Sequence, residues 1–433
     1  MKNLLKANWF LFILFAALIS VKIYYINLSF QNGLYSDEIA YNFVDASHYL
    51  KIAENISEFN VYSDNNSNIA TEKATWRSPF WPWVLSLFFN LTNNLFILII
   101  LKFILELSLM VFALLKIKNN PSIKKIYFLP FLLIFLEPQY LKYSITFLSE
   151  SFTAVLMMVF LAFFLSLNII KKYHIAIPIL ASLIILAHPV SIFFILSIFI
   201  IYLLYNVKSN FKISILHGLL FSIIILVWPI RNQMTFNKGF YLTASQGTTF
   251  SIGWNEKVST QFTNVNGDLA DPGLNLKYAD IFYIKNINNS TLNLSKAYTN
   301  GTINFLKNIS FKEKIKIIYI KIKSNFNPFP ENPKPGFLEE LSILFRIIYL
   351  LVFVQLIFRL FNKEKFNFNS IKDKTFFIVA SVLIGQILMS IYIYTGLRFN
   401  SIYSLTMLTC FILLNLKTIN SLIDFIWKKL IIS

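Results

Sequence analysis

The 433-residue chain is 56% hydrophobic and 17% aromatic, which is too apolar for a water-soluble globule and falls in the range of membrane proteins. Its formal charge of +18 does not point to nucleic acid, because the 39 Lys and Arg are dispersed between apolar runs and no nucleic-acid motif accompanies them. The single cysteine, Cys410, lies inside an apolar run, which excludes a disulfide framework or a cysteine-based metal site.

Crossing roughly 30 Å of hydrocarbon takes about 20 mostly apolar residues in a helix. The opening run, Trp9 to Tyr25, is longer than a signal-peptide core and lacks a small-residue cleavage site, so it reads as a retained first span. Further spans are expected near 94–115, 126–138, 151–170, 175–187, 189–205, 213–230, 341–361, 374–396 and 400–416, with the first near 9–29. The chain is thus expected to be an all-α polytopic membrane protein with about ten transmembrane helices, 1–433 forming one domain.

Short basic connectors at the N-terminus and at 116–125, 171–174, 206–212 and 362–374 share one side on this count. By the positive-inside rule that side is the cytoplasm, which places the N-terminus inside. The segments 30–93 and 231–340 then lie outside, and polar mass concentrates there. Within them, 79–93 is apolar but too short to span and is expected in the interface. Phe311, Ile315, Ile318 and Ile322 form a helical stripe beside Lys312, Lys314, Lys316 and Lys323, as in a basic amphipathic helix on the outer membrane surface. Residues 327–337 form a proline-rich connector.

Ionisable residues mark the candidate sites. Lys102 and Glu106 are four apart on one helix face, where they can neutralise each other inside the bundle. On the outer face, Arg77 precedes a proline-started aromatic helix, Glu150 opens a span, and His188 sits at a turn. Arg231 lies where the 213–230 span emerges, and Arg398 lies between the last two spans. Three arginines with carboxylates at one membrane face suit a phosphate ester or diphosphate, with a carboxylate to accept a proton from an attacking hydroxyl. Asp45 opens the stretch DASHYLKIAENI, whose Tyr49, Ile52, Ala53 and Ile56 recur at helical spacing. Asp45 reads either as a helix cap or as that carboxylate.

This set of motifs resembles the GT-C superfamily of membrane glycosyltransferases, which includes protein O-mannosyltransferases and lipid A aminoarabinose transferases. The bacterial members share an acidic residue, a tyrosine four positions on and an Ile-Ala helix, matched here by Asp45, Tyr49, Ile52 and Ala53. TWRSPFWPW, FLSESF, WPIRNQ and its following Gly-containing loop, and RFNSIYSLTML resemble four further motifs in family order. His188 stands where many relatives have Arg or Lys, and the proline usual after the late arginine is missing.

The resemblance implies a GT-C-like bundle with outer interfacial helices. It implies transfer of a sugar from a polyprenyl-phosphate donor to a glycan, lipid or protein acceptor, with inversion, at the outer face of the plasma membrane. Asp45 would be the base and Arg77, Arg231 and Arg398 would hold the donor phosphate. Glu150, Tyr49 and His188 would support them. No magnesium or nucleotide-sugar motif is evident, so no obligatory metal is expected, although some relatives bind a divalent ion. Asp37 and Glu38 remain an alternative base pair, and a polyprenyl-linked glycan flippase or other transporter remains the rival function.

Overall fold

The computed structural model describes residues 19–20, 22–24, 27, 44–66, 68–118, 133–166, 175–209, 211–259, 272–327, 337–362, 370–393, 397–421 and 425. At 44, 133, 205–209, 259, 272, 337–339, 397 and 398 only the backbone is described. No strand occurs among these residues, so the all-α class holds. Asp37 and Glu38, and most of the expected spans 9–29 and 126–138, lie outside the described residues.

Four described helices are long and apolar enough to cross a membrane: Leu95–Lys118, Phe211–Phe236, Glu340–Phe361 and Ile371–Tyr392. Their outward faces are apolar, with Ile104, Leu219, Val227, Val354 and Phe358 all exposed, as expected of a protein surrounded by lipid. Shorter apolar helices stand where the other spans are expected, among them Glu150–Leu165, Ala176–Ala187 and Phe399–Leu414. By length alone these do not reach a full crossing.

The elements used below are numbered in chain order. α1 is Val44–Phe59, α2 Phe80–Phe89, α3 Leu95–Lys118, α4 Pro138–Ser144, α5 Glu150–Leu165 and α6 Ala176–Ala187. α7 is Ile192–Ser209, α8 Phe211–Phe236, α9 Gln246–Gly253, α10 Ile281–Lys285 and α11 Thr291–Asn308. α12 is Phe311–Phe326, α13 Phe337–Phe361, α14 Ile371–Tyr392 and α15 Leu397–Leu414.

α5 is the centre of the bundle. Every residue from Glu150 to Leu165 except Phe163 is buried, so the helix is apolar all round because it has neighbours all round. α3, α4, α6 and α15 pack along it, while α7 packs along α14 and α8 along α6. Lipid is as apolar as these side chains, so close packing and polar contacts, rather than transfer from water, hold such helices together. Gly385 of α14 shows how close they come: a Cβ there would lie 2.1 Å from the Phe194 ring of α7.

The polar contacts gather between α3 and the α4–α5 turn. Lys102 and Glu106 form a fully buried ion pair at 3.2 Å. Lys102 Nζ also donates to Ser151 Oγ at 2.7 Å and to the carbonyls of Tyr143 and Ser144. Ser151 Oγ and Tyr140 Oη donate to the two oxygens of Glu106 at 2.8 and 3.0 Å. Lys22 in turn donates to Tyr140 Oη at 3.1 Å. Each charge therefore has a partner facing inward, as the four-residue spacing predicts.

α12 opens with a capping box, Ser310 and Glu313 each bonding the other's backbone amide. Its protein-facing side is Ile317, Lys321 and Asn325. Of the apolar stripe, Phe311 and Ile315 face outward at 76% and 49% exposed, while Ile318 packs partly against the protein with Trp254 and Val258.

Removing one partner of a buried ion pair leaves an uncompensated charge and costs about 3–5 kcal/mol. Lys102→Met should therefore lower the unfolding midpoint in detergent sharply, and adding Glu106→Leu should recover much of the loss. A double variant less stable than either single one would contradict the pairing.

Candidate functional site

α1 is built as its sequence predicts. Ala46, Tyr49, Leu50, Ile52 and Ala53 are buried on one face, and Asp45 stands in the first turn. The helix ends where Asn60 takes a left-handed conformation at φ 55°, and its amide caps the Ile56 carbonyl at 3.0 Å. Asn55 then ties down the following loop, donating to the carbonyls of Ser63 and Asn65 at 2.9 and 2.6 Å.

That loop leads to a single turn of helix at Lys73–Trp76, and Arg77 follows it in extended backbone. Tyr62 Oη donates to the carbonyls of Arg77 and Ser78, while Ser78 Oγ donates to the Ala187 carbonyl at 2.9 Å. Trp81 Nε1 donates to the Phe147 carbonyl at 2.7 Å, which fixes α2 against the bundle. With its backbone held on both sides, Arg77 reaches back to α1, and its Nη2 donates to Asp45 Oδ1 in an ion pair. The guanidinium also lies over the Tyr49 ring, 5.5 Å from its centroid.

Asp45, Tyr49, Arg77 and His188 line one cavity of about 360 Å³. This is within the range of small-molecule sites. Its floor and far wall are largely apolar, from Leu242, Ile192, Phe193, Tyr392 and Phe399. Thr243, Ser245, Gln246 and Thr249 add neutral polar groups from the 231–340 segment. The backbone places that wall: the Ala244 amide donates to the Thr75 carbonyl at 2.9 Å, and Ser245 Oγ to the Trp76 carbonyl at 3.3 Å. Gly247 lets α9 meet α11, since a Cβ there would lie 1.9 Å from the Ser295 carbonyl oxygen.

Glu150 is fully buried at the start of α5 and stands behind the cavity wall, with Oε1 3.6 Å from His188 Nε2. His188 ends α6 in extended backbone, and its ring meets the Phe399 ring edge-on at 5.8 Å. Tyr49 Oη and Ser149 Oγ share a hydrogen bond of 3.2 Å. Burial pushes the Tyr49 phenol up to about 12, with Arg77 opposing and Glu150 adding to the shift. It is therefore a neutral hydroxyl at working pH.

α8 does not end at 230 but runs through Pro229 to Phe236, so Arg231 stands in its last two turns. Its guanidinium lies over the rings of Trp228 at 4.9 Å and Phe236 at 5.3 Å, and donates to Asn232 Oδ1 at 3.1 Å. It does not line the cavity, and supports it through Trp228, which packs edge-on against Tyr62 at 4.6 Å. Arg398 lies in the first turn of α15 next to Phe399, and its side chain is outside the described residues.

The Thr243–Thr249 wall carried no chemical signature in the sequence; its only sign was a polar, glycine-containing run after an apolar helix. Among the described residues, no three His, Cys, Asp or Glu side chains gather into a metal-binding group. Asp45 is the only carboxylate among the described residues that line the cavity. No family model, curated protein or solved structure matches the chain.

His48, one turn after Asp45, is held below its ordinary 6.5 by burial first and then by the positive Arg77 and Lys73. The folded protein thus takes up this proton only at lower pH than the unfolded chain does. Its contribution to stability is complete above about 6.5 and declines as the pH falls below that value. The unfolding midpoint should drop between pH 7 and 5, and His48→Gln should flatten that dependence. An unchanged pH profile in the variant would exclude His48 as its source.

Proposed function

We propose that the chain is a multi-pass GT-C-type glycosyltransferase of the plasma membrane, with about ten transmembrane helices and a cytoplasmic N-terminus. It moves a sugar from a polyprenyl-phosphate donor to a glycan, lipid or protein acceptor at the outer face. The observation that carries this reading is the pairing of Asp45 with Arg77 at the edge of a largely apolar cavity. A lipid-phosphate donor needs such a combination: a cation for its head, apolar wall for its first isoprene units, and a carboxylate within reach of the acceptor.

The chemistry follows from the same geometry. An incoming phosphate competes with Asp45 for the Arg77 guanidinium, which can hold it through two parallel bonds. Asp45, released from the pair, accepts the proton of the acceptor hydroxyl. That oxygen forms its bond to the anomeric carbon from the side opposite the phosphate. The carbon–oxygen bond to phosphate breaks, its electron pair leaves with the phosphate, and Arg77 stabilises the charge that develops there. Inversion is the outcome of this single displacement. His188, backed by Glu150, adds an imidazole to the wall, and Arg398 is placed by sequence alone to add a second cation.

Lys102 and Glu106, the charged pair inside the bundle that keeps a transporter in view, are bonded to each other and to Ser151, which favours the transfer reading.

The test is envelope glycan analysis in the native host at equal expression. Asp45→Ala should cut transfer by about 10²–10⁴-fold, the range of a lost general base. Arg77→Lys, which keeps the charge but not the bidentate fork, should retain part of the activity. Full transfer by Asp45→Ala would end the assignment, and lipid-linked sugar accumulating on the inner leaflet would indicate a flippase.

A further inference from the structure

A second, smaller cavity lies beside the first: Phe399 of α15 lines one and the adjacent Asn400 lines the other. Its volume is about 30 Å³, and its polar lining includes Gln139, Asn325, Arg346, Gln386 and Tyr403. By the space a water needs, that is room for about two hydroxyl-sized groups.

Several of these polar groups are buried with nothing to bond. Asn325 is 8% exposed, and neither its side-chain oxygen nor its nitrogen has a partner. Gln139 and Gln386, 7% and 3% exposed, each carry an unpartnered side-chain oxygen. Leaving such a group unsatisfied costs about 1–3 kcal/mol each, so three at one cavity need a reason.

The hydrogen-bond direction around the cavity identifies what is missing. The Asn325 backbone carbonyl can only accept, so the Asn400 nitrogen donates to it at 3.4 Å. The Asn400 oxygen then faces Tyr403 and accepts its one hydroxyl proton. Tyr403 must therefore accept from the Gln386 nitrogen. The Gln386 oxygen is left pointing at the cavity as an acceptor, alongside the oxygens of Gln139 and Asn325. The amide oxygens need a donor while the Asn325 nitrogen needs an acceptor, so the cavity calls for a ligand that does both. A fully ionised phosphate has no proton to give the amide oxygens.

Hydroxyl groups both donate and accept, so they satisfy the amide oxygens while accepting from the Asn325 nitrogen and from Arg346. The Phe326 ring, half-buried at the rim and packed on Phe353 at 5.6 Å, offers an apolar surface for the carbon side of such a ligand. We propose that this cavity is a second ligand site, one that receives the hydroxyls of an uncharged sugar or of a glycerol headgroup. It does not depend on the transfer reading, and its test reads binding alone.

The full chain is reconstituted in phosphatidylcholine nanodiscs, and its unfolding midpoint is followed in two arms. One titrates methyl β-glucoside, and the other replaces part of the lipid with phosphatidylglycerol, with phosphatidic acid as the charge control. A saturable rise with the glucoside identifies a free or glycan-borne sugar. A rise with phosphatidylglycerol but not phosphatidic acid identifies a lipid headgroup. Asn325→Leu should raise the half-saturating concentration at least about tenfold, a loss of about 1.4 kcal/mol, while Arg77→Ala, which alters the other cavity, should leave it unchanged. Gln386→Met gives the same reading if Asn325→Leu does not fold. The proposal is overturned if neither probe moves the midpoint, as for a cavity that holds only water. A shift that survives both Asn325→Leu and Gln386→Met overturns it equally.

Discussion

The Asp45 carboxylate is held by the Arg77 guanidinium, and both stand at the wall of the larger cavity. Neither charge is deeply buried, with the Asp45 and Arg77 side chains 25% and 13% exposed, so the pair is accessible to a competing anion. A pair sealed in the interior would serve only structure, as Lys102 and Glu106 do. A fully exposed pair would be screened and weak. On the proposed function, this intermediate setting would let one cation serve an internal carboxylate in the free protein and a phosphate in the complex.

Much of the surrounding structure serves to hold those two side chains in place. Asp45 is placed by the buried face of α1, and Arg77 by a backbone clamped through Tyr62, Ser78 and the α2 anchor Trp81. α5 supplies the rigid base, and its first turn carries Ser149 toward Tyr49 and Glu150 toward His188. The 231–340 segment closes the far wall through backbone contacts to Thr75 and Trp76. Residues from five distant stretches of sequence therefore meet at one cavity.

The parts legible in the sequence were those with a period or a charge. The apolar face of α1 and the Lys102–Glu106 pair followed from spacing of three or four residues. Asp45, Arg77 and His188 could be picked out as polar groups at the ends of apolar runs, and Tyr49 through the GT-C resemblance; they do share a cavity. The end of α8 could not be placed, because hydropathy marks where an apolar run stops and not where its helix stops; α8 continues six residues past 230. The Asn325–Gln386 cluster was invisible for a different reason, and the Thr243–Thr249 wall showed only as the Gly-containing loop of the GT-C resemblance. Their meaning lies in contacts between neutral side chains far apart in sequence, which leave no periodic trace.

The competition for Arg77 makes a counter-intuitive demand that ordinary loss-of-function data would not meet. Binding of farnesyl phosphate to the purified full chain tests it directly. If Asp45 is the internal rival of the phosphate, Asp45→Asn should bind farnesyl phosphate about tenfold more tightly than the unaltered protein, a gain of about 1.4 kcal/mol, although it transfers no sugar. Arg77→Ala should bind it more weakly. Unchanged or weaker binding by Asp45→Asn would contradict the account.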